Sequence, residues 1–135
     1  MSHLHHGRRV LVIEDEPDLR ALMELVLEDR GYTVLTACDG REGLELLGSN
    51  RPDVILLDMK MPVMDGWEFA RRYRATFEDR APIVVVTAAE DLRARADEIG
   101  ATKALGKPVE LDTLFATIED ATSGAARATK VGAPR

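Results

Sequence analysis

The sequence predicts a doubly wound α/β fold, in which a parallel β-sheet is flanked by helices. The first observation is a set of short apolar runs without polar alternation, at residues 10–13, 54–57 and 83–86. Such runs are typical of strands buried on both faces, as in parallel sheets. The second observation is that strand and helix patterns alternate five times along the chain, which indicates repeated βα units.

Five strands and five helices follow from these patterns, with ends uncertain by about two to four residues. The strands are predicted at residues 10–13, 33–37, 54–57, 83–86 and 104–106. The helices are predicted at 17–30, 67–76, 91–99 and 110–121, with a second helix starting at Asp39 or Gly40. In the first helix, Pro17 suits the opening turn and Gly31 suits the C-terminal cap.

Apolar residues at helical spacing identify the faces that are expected to pack on the sheet. In the first helix they are Leu19, Leu22, Met23, Val26 and Leu27. The second and third helices contribute Leu44, Leu47, Phe69 and Tyr73. The fifth contributes Leu111, Leu114, Phe115 and Ile118.

The composition is typical of one soluble globular domain. The chain has 135 residues, of which 45% are hydrophobic and 31% charged. Its formal net charge of -6 argues against general nucleic-acid binding, and no apolar stretch is long enough to span a membrane. The single cysteine, Cys38, is expected to be semi-buried and favours a reducing, cytoplasmic location. We predict a folded domain over residues 8–121 between disordered segments at 1–7 and 122–135, with no effector domain after it.

Polar residues follow the predicted strands at the points where they end. Glu14 and Asp15 follow the first strand, Asp58 the third, Thr87 the fourth and Lys107 the fifth. Ligands of open α/β sheets bind beyond the carboxyl ends of the strands. Three carboxylates there would repel one another, and Mg²⁺, which prefers oxygen ligands, would relieve that repulsion. Asp58 is then a candidate nucleophile toward a phosphoryl donor, with the lysine ammonium and threonine hydroxyl binding the transferred oxygens.

This combination resembles the receiver domain of two-component response regulators over almost all of residues 8–121. The motifs that carry the resemblance are Glu14-Asp15-Glu16-Pro17, Asp58-Met59-Lys60-Met61-Pro62, Met64-Asp65-Gly66, Thr87-Ala88 and Lys107-Pro108. The resemblance implies a flavodoxin-like sheet of strand order 2-1-3-4-5. It also implies phosphorylation at Asp58, with Thr87 and Lys107 as the other catalytic residues. Mg²⁺ would be bound by Glu14, Asp15, Asp58 and the main-chain carbonyl of Lys60.

By the same resemblance, the domain is a stand-alone phosphoryl-accepting switch rather than an enzyme acting on other substrates. It would catalyse only its own phosphorylation and autodephosphorylation. The donor would be a sensor histidine kinase or a histidine phosphotransfer protein, and the output an unidentified protein that contacts the fourth helix, fifth strand and fifth helix. A phosphorelay intermediate and a metal-free docking receiver remain alternatives within the family.

Two positions depart from the family pattern. Receivers commonly carry an aromatic residue three positions before the lysine, and Ala104 stands there in this chain. Val109 replaces the phenylalanine that commonly follows the Lys-Pro pair. The usual coupling between the threonine and that aromatic residue therefore cannot operate in its ordinary form.

Two other function classes fit the motifs less well. Aspartyl-nucleophile phosphatases carry an Asp-x-Asp pattern, in which the second acid serves the leaving group. Here Lys60 stands at the position of that second acid, two residues after Asp58. A nucleotide-binding flavodoxin-like module needs a glycine-rich loop after the first strand, where residues 14–16 are all acidic. Like charges exclude phosphate from that loop.

Overall fold

The structure is a computed structural model that describes residues 8–88 and 92–123. The predicted disordered segment 1–7 lies outside the described residues, as do residues 124–135 of the predicted tail. Thr122, which was assigned to that tail, is instead the last residue of a helix. Its hydroxyl donates a hydrogen bond to the Ile118 carbonyl, 2.8 Å away, so the helix continues one residue beyond the predicted end.

The five predicted strands and five predicted helices are present in the described part of the chain. The strands are β1 (Arg9–Ile13), β2 (Thr33–Ala37), β3 (Val54–Asp58), β4 (Ile83–Ala88) and β5 (Lys103–Lys107). The helices are α1 (Pro17–Asp29), α2 (Gly40–Leu47), α3 (Gly66–Thr76), α4 (Leu92–Ile99) and α5 (Leu111–Thr122). All strand pairs are parallel, and the sheet order β2-β1-β3-β4-β5 confirms the expected topology.

Helix ends follow from local hydrogen bonding. The side chains of Glu16, Asp39 and Asp65 cap α1, α2 and α3 by accepting from backbone N–H groups of the first turn. At the end of α1, Gly31 has φ 101°, a conformation that glycine adopts at low cost. The N–H groups of Gly31 and Tyr32 donate to carbonyls of the last helical turn, which confirms the predicted glycine cap.

The sheet has a hydrophobic core on each face. Alternate strand residues such as Leu11, Ile55 and Val85 pack with side chains from α2, α3 and α4. The intervening residues, such as Val10 and Val84, pack with side chains from α1 and α5. Strands β1 and β3 are buried along almost their whole length, as predicted for central strands.

Three of the predicted burial assignments are wrong. Leu22 of α1 is 49% exposed and Leu111 of α5 is 43% exposed. Leu22 lies about 100° around the helix from buried Met23, so it falls at the edge of the stripe that faces the sheet. Leu111 is the first residue of α5 and borders a surface groove between α1 and α5. Cys38 is exposed rather than semi-buried, because the chain leaves the sheet after Ala37.

Among the described residues, we find no helix with the length and apolar character that crossing a membrane requires.

Candidate functional site

The carboxyl edge of the sheet brings the predicted acidic residues together. One carboxylate oxygen each from Glu14, Asp15 and Asp58 lies within 4.8 Å of the others. The Lys107 Nζ atom is 3.2 Å from Glu14 Oε1 and 3.4 Å from Asp58 Oδ2. Glu14 and Asp58 are 2% and 5% exposed, whereas Asp15 is half-buried. The cluster is therefore largely withdrawn from water but open on the Asp15 side.

The backbone determines where these carboxylates lie. The Glu14 N–H donates to the Ala37 carbonyl at 3.0 Å, so pairing with β2 continues one residue beyond β1. The Glu16 N–H donates to Glu14 Oε2 at 3.1 Å and fixes that side chain. Asp58 is the last residue of β3 and is paired with Val86 of β4. The acidic loop and the end of β3 therefore meet on adjacent strands.

Thr87 and Lys60 occupy the same edge. Thr87 is buried in β4 and is paired with Gly106, the residue before Lys107. Lys60 lies two residues beyond Asp58 with an exposed side chain. The predicted roles of the threonine hydroxyl and of the Lys60 carbonyl remain predictions. The Lys107–Pro108 peptide bond is cis.

Burial and charge perturb two of the titratable groups. Desolvation, with a further contribution from the negative charge of Glu14, raises the pKa of Asp58 to about 7 although Lys107 opposes the shift. For Lys107, burial alone would lower the pKa, but the charges of Asp58 and Glu14 outweigh it and raise the pKa. The lysine is therefore held in its charged form beside the acids.

The donor set fits a hard divalent cation. Three carboxylates from two points of the chain converge, and Mg²⁺ binds through a few carboxylate oxygens while keeping some of its water. Burial and the charge of Glu14 together outweigh the Lys107 ammonium and raise the pKa of Asp58, so its ionised form is disfavoured. A bound cation would favour the ionised form.

Sequence reasoning missed one residue of the site, Arg20 in the first turns of α1. Its Nη1 atom donates to the Glu14 carbonyl at 2.8 Å and lies 3.4 Å from the Asp15 carbonyl. Its side chain contacts main-chain atoms, which carry no residue-specific signal. The one available signal was spacing, since a residue one helical turn inside α1 can reach back over the loop before that helix.

The chain is similar to known response regulators. The family model of the response regulator receiver domain matches residues 10–119. Response regulator MprA of Mycolicibacterium vanbaalenii is 41% identical over 110 residues, which are 80% of this chain and 47% of MprA. Transcriptional regulatory protein AfsQ1 of Streptomyces coelicolor is 45% identical over 82 residues, 61% of this chain and 36% of AfsQ1. The chain thus spans about half the length, or less, of these curated relatives.

Solved structures of receivers superpose on most of the chain. Response regulator TrrA of Thermotoga maritima, solved in complex with Mg²⁺ and BeF, is 32% identical with a TM-score of 0.74, covering 84% of this chain and 97% of TrrA. The receiver domain of the Pseudomonas aeruginosa sensor histidine kinase PA1611, with magnesium coordinated in its active-site cleft, is 30% identical with a TM-score of 0.80, covering 87% and 99%. Sequence, fold and site geometry agree, and the chain belongs to the response regulator receiver domain family.

Proposed function

We propose that this receiver accepts a phosphoryl group on Asp58 from a phosphohistidine donor and that the modified domain presents an altered protein-binding face. The observation that supports this most directly is the position of Asp58. Its carboxylate is buried at the carboxyl edge of the sheet, 3.4 Å from the Lys107 ammonium and close to two further carboxylates.

The proposed metal site consists of Glu14, Asp15, Asp58 and the main-chain carbonyl of Lys60. When bound there, Mg²⁺ would offset negative charge on the carboxylates and on the oxygens of the incoming phosphoryl group. TrrA and the receiver domain of PA1611 were both solved with magnesium, which supports the same ion for this chain.

The side chains have distinct roles in phosphoryl transfer. An oxygen of Asp58 attacks phosphorus in line with the scissile P–N bond, which breaks and leaves its electron pair on the imidazole nitrogen. The product is an acyl phosphate. The Lys107 ammonium donates hydrogen bonds to one phosphoryl oxygen, and the Thr87 hydroxyl donates to another. Hydrolysis of the acyl phosphate by water restores the carboxylate and completes the proposed cycle of phosphorylation and autodephosphorylation at Asp58.

The proposed donor is a sensor histidine kinase or a histidine phosphotransfer protein, both in the cytoplasm. The proposed output is a protein contact at the surface formed by α4, β5 and α5. Modification of Asp58 would change the population of the conformation of this surface that binds the partner. Because the chain has a net charge of -6, we do not assign nucleic-acid binding to the receiver itself. Onward transfer of the phosphoryl group in a relay is the alternative output.

Intact-mass measurement after incubation with acetyl phosphate and Mg²⁺ tests the proposal. We expect one added phosphoryl group in the wild type. No group should be added when EDTA removes the Mg²⁺, and none should be added to Asp58→Asn. Asp65→Asn is the matched control, because Asp65 caps α3 in the following loop and asparagine caps helices equally well. A wild-type chain that gains no phosphoryl group, or an Asp58→Asn variant that still gains one, contradicts the proposal.

A further inference from the structure

We infer that Arg20 is a positioning residue that holds the acidic loop in the geometry needed to bind Mg²⁺. The inference rests on the proposed function of the site. Its basis is that the half-buried guanidinium of Arg20 contacts the carbonyls of both Glu14 and Asp15, the two consecutive metal-ligand candidates.

These carbonyls lie where the chain leaves the sheet. The Glu14 N–H makes the last backbone hydrogen bond to the β2 side, and α1 begins at Pro17. The intervening residues must turn sharply while presenting two carboxylates to the site. The carbonyl oxygens of this turn need hydrogen-bond donors of their own.

Arg20 is itself firmly anchored. Its N–H donates to the Glu16 carbonyl at 2.9 Å, which is the first backbone hydrogen bond of α1. The Glu16 carboxylate caps the same helix by accepting from the Leu19 N–H at 2.9 Å. Two hydrogen bonds to Glu16 therefore fix the first turn of the helix up to Arg20, and the Arg20 side chain reaches from there back to the loop.

The contact leaves the metal-binding oxygens unused. Among the described residues, the one ammonium that forms ion pairs within this set of three carboxylates is that of Lys107, so a second cation nearby reduces their mutual repulsion. A guanidinium paired directly with Glu14 or Asp15 would compete with a metal ion for the carboxylate oxygens. Because Arg20 binds their carbonyls instead, it supplies positive charge and fixes the backbone of the loop. The carboxylate oxygens of Glu14 and Asp15 stay available to a metal ion.

The test is Mg²⁺ binding measured by isothermal titration calorimetry, without any phosphodonor. Outer partners that orient metal ligands typically change metal affinity by about 10- to 100-fold. We expect Arg20→Met, which keeps an unbranched apolar stem, to weaken Mg²⁺ binding about tenfold. Arg20→Lys keeps the charge but loses the fork of donors, so about threefold weakening is expected. Arg41→Met is the matched control, because Arg41 lies exposed on α2 and pairs with Glu45.

A kinetic measurement separates positioning from general stability. In Arg20→Met, the Mg²⁺ concentration for half-maximal phosphorylation by acetyl phosphate should rise about tenfold, in proportion to the Kd. The rate at saturating Mg²⁺ should stay within about twofold of wild type, because Asp58, Thr87 and Lys107 are unchanged. The comparison is made where circular dichroism shows the variant fully folded, because Mg²⁺ binds only the folded chain and a partly unfolded variant would itself raise the half-saturation point.

The outcomes are distinguishable. If wild type binds Mg²⁺ and folded Arg20→Met binds it equally well, the inference is overturned and the proposed function stands. If wild type binds Mg²⁺ but Asp58 gains no phosphoryl group, the proposed function fails while calorimetry still tests Arg20. A wild type that binds no Mg²⁺ overturns both. If circular dichroism shows that Arg20→Met is unfolded, Arg20→Lys decides instead. An Arg20→Lys variant that binds Mg²⁺ as tightly as wild type then overturns the inference.

Discussion

Asp58 is the residue at which folding and function make opposite demands. The proposed chemistry needs its ionised carboxylate beside two other acids, whereas burial and the charge of Glu14 favour its protonated form by raising its pKa. An acidic group with a raised folded-state pKa binds its proton more tightly in the folded than in the unfolded chain. Without a metal ion, the contribution of Asp58 to stability is therefore lost as the pH rises.

We predict that Asp58→Asn stabilises the metal-free domain. The pKa of about 7 lies above the ordinary value of 3.8, so the wild-type contribution is fully present below about pH 4 and is lost as the pH rises through 7. In EDTA at pH 8, urea unfolding should show a gain on the order of 2 kcal/mol for the variant, and the gain should shrink toward pH 4.

Asp112→Asn serves as the control for this prediction, because Asp112 is exposed on α5. Its effect should stay within about 0.5 kcal/mol at both pH values. Equal stability of wild type and Asp58→Asn at pH 8 would show that the acidic cluster does not strain the metal-free fold.

Val63 is a second residue under strain, in the loop after β3. It has φ 69°, and the Met64 N–H donates to the Pro62 carbonyl at 2.6 Å, so Val63 is the centre of a γ-turn with positive φ. This conformation is unfavourable for a β-branched residue. The side chain is 73% exposed, so little burial compensates the strain.

We predict that Val63→Asn stabilises the domain by about 1 kcal/mol, because asparagine tolerates the left-handed region better than valine does. Urea unfolding followed by far-ultraviolet circular dichroism measures the difference. Val63→Ala should gain less, since alanine lacks the short polar side chain with which asparagine can hydrogen-bond the local backbone. An asparagine variant no more stable than wild type would mean that the γ-turn is not strained.

The chemistry of the site was more predictable from the sequence than its supporting contacts. Carboxylates after parallel strands must meet at one edge, so the convergence of Glu14, Asp15 and Asp58 followed from the strand pattern. Arg20 was missed because its partners are carbonyl oxygens, which every residue has. Such contacts depend on how the turn between β1 and α1 folds.

At the scale of elements, strand and helix positions were predicted to within a few residues, but helix faces were predicted less well. Apolar spacing identifies a stripe, whereas its edges are buried only if a neighbouring element lies over them. Leu22 and Leu111 stand at such edges, on the two helices that border the α1–α5 groove. Leu111 lines that groove, so its exposure depends on how closely α1 and α5 approach, which the sequence pattern does not encode.

Helix α3 begins in direct contact with residues 58–59 at the end of β3. The Gly66 N–H donates to the Met59 carbonyl at 2.9 Å. A Cβ atom at Gly66 would lie 2.8 Å from Met59 Cα and 3.0 Å from the Asp58 carbonyl oxygen. Those are backbone atoms, which cannot move aside as a flexible side chain can.

We therefore predict that Gly66→Ala destabilises the domain by about 1–3 kcal/mol, although alanine is the better helix former. It should also slow phosphorylation of Asp58, because relief of the clash displaces the end of β3. Urea unfolding and the intact-mass assay measure the two effects. Gly48→Ala is the control, since Gly48 is exposed with φ -64° at the end of α2 and a Cβ there would lie 3.2 Å from the Glu45 carbonyl oxygen, farther than either backbone contact at Gly66. Its effect on stability should stay below about 1 kcal/mol.

At the scale of the whole molecule, the site is connected to the edge of the sheet through Lys107. This residue ends β5, and β5 pairs with β4 on one side in the five-stranded sheet. Its ammonium contacts Asp58 and Glu14, so a change of charge on Asp58 acts directly on the edge strand. Ala104, half-buried on the same strand, offers no aromatic ring to transmit that change.

We predict that the response to a phosphoryl mimic reaches β5 through Lys107. With Mg²⁺ and beryllofluoride, hydrogen exchange should slow in residues 59–66 and 103–107, because the loop after β3 and the ammonium both gain an anionic partner. Residues 50–53, which precede β3 at the amino edge of the sheet, should exchange unchanged. Lys107→Met should abolish the protection at 103–107, whereas the protection at 59–66 should persist because that loop follows Asp58 directly.

Lys103→Met is the control, since Lys103 lies on the same strand but pairs with Asp120, and it should leave both responses intact. Protection at β5 that survives in Lys107→Met would place the connection elsewhere, through the pairing of β4 with β5 next to the site.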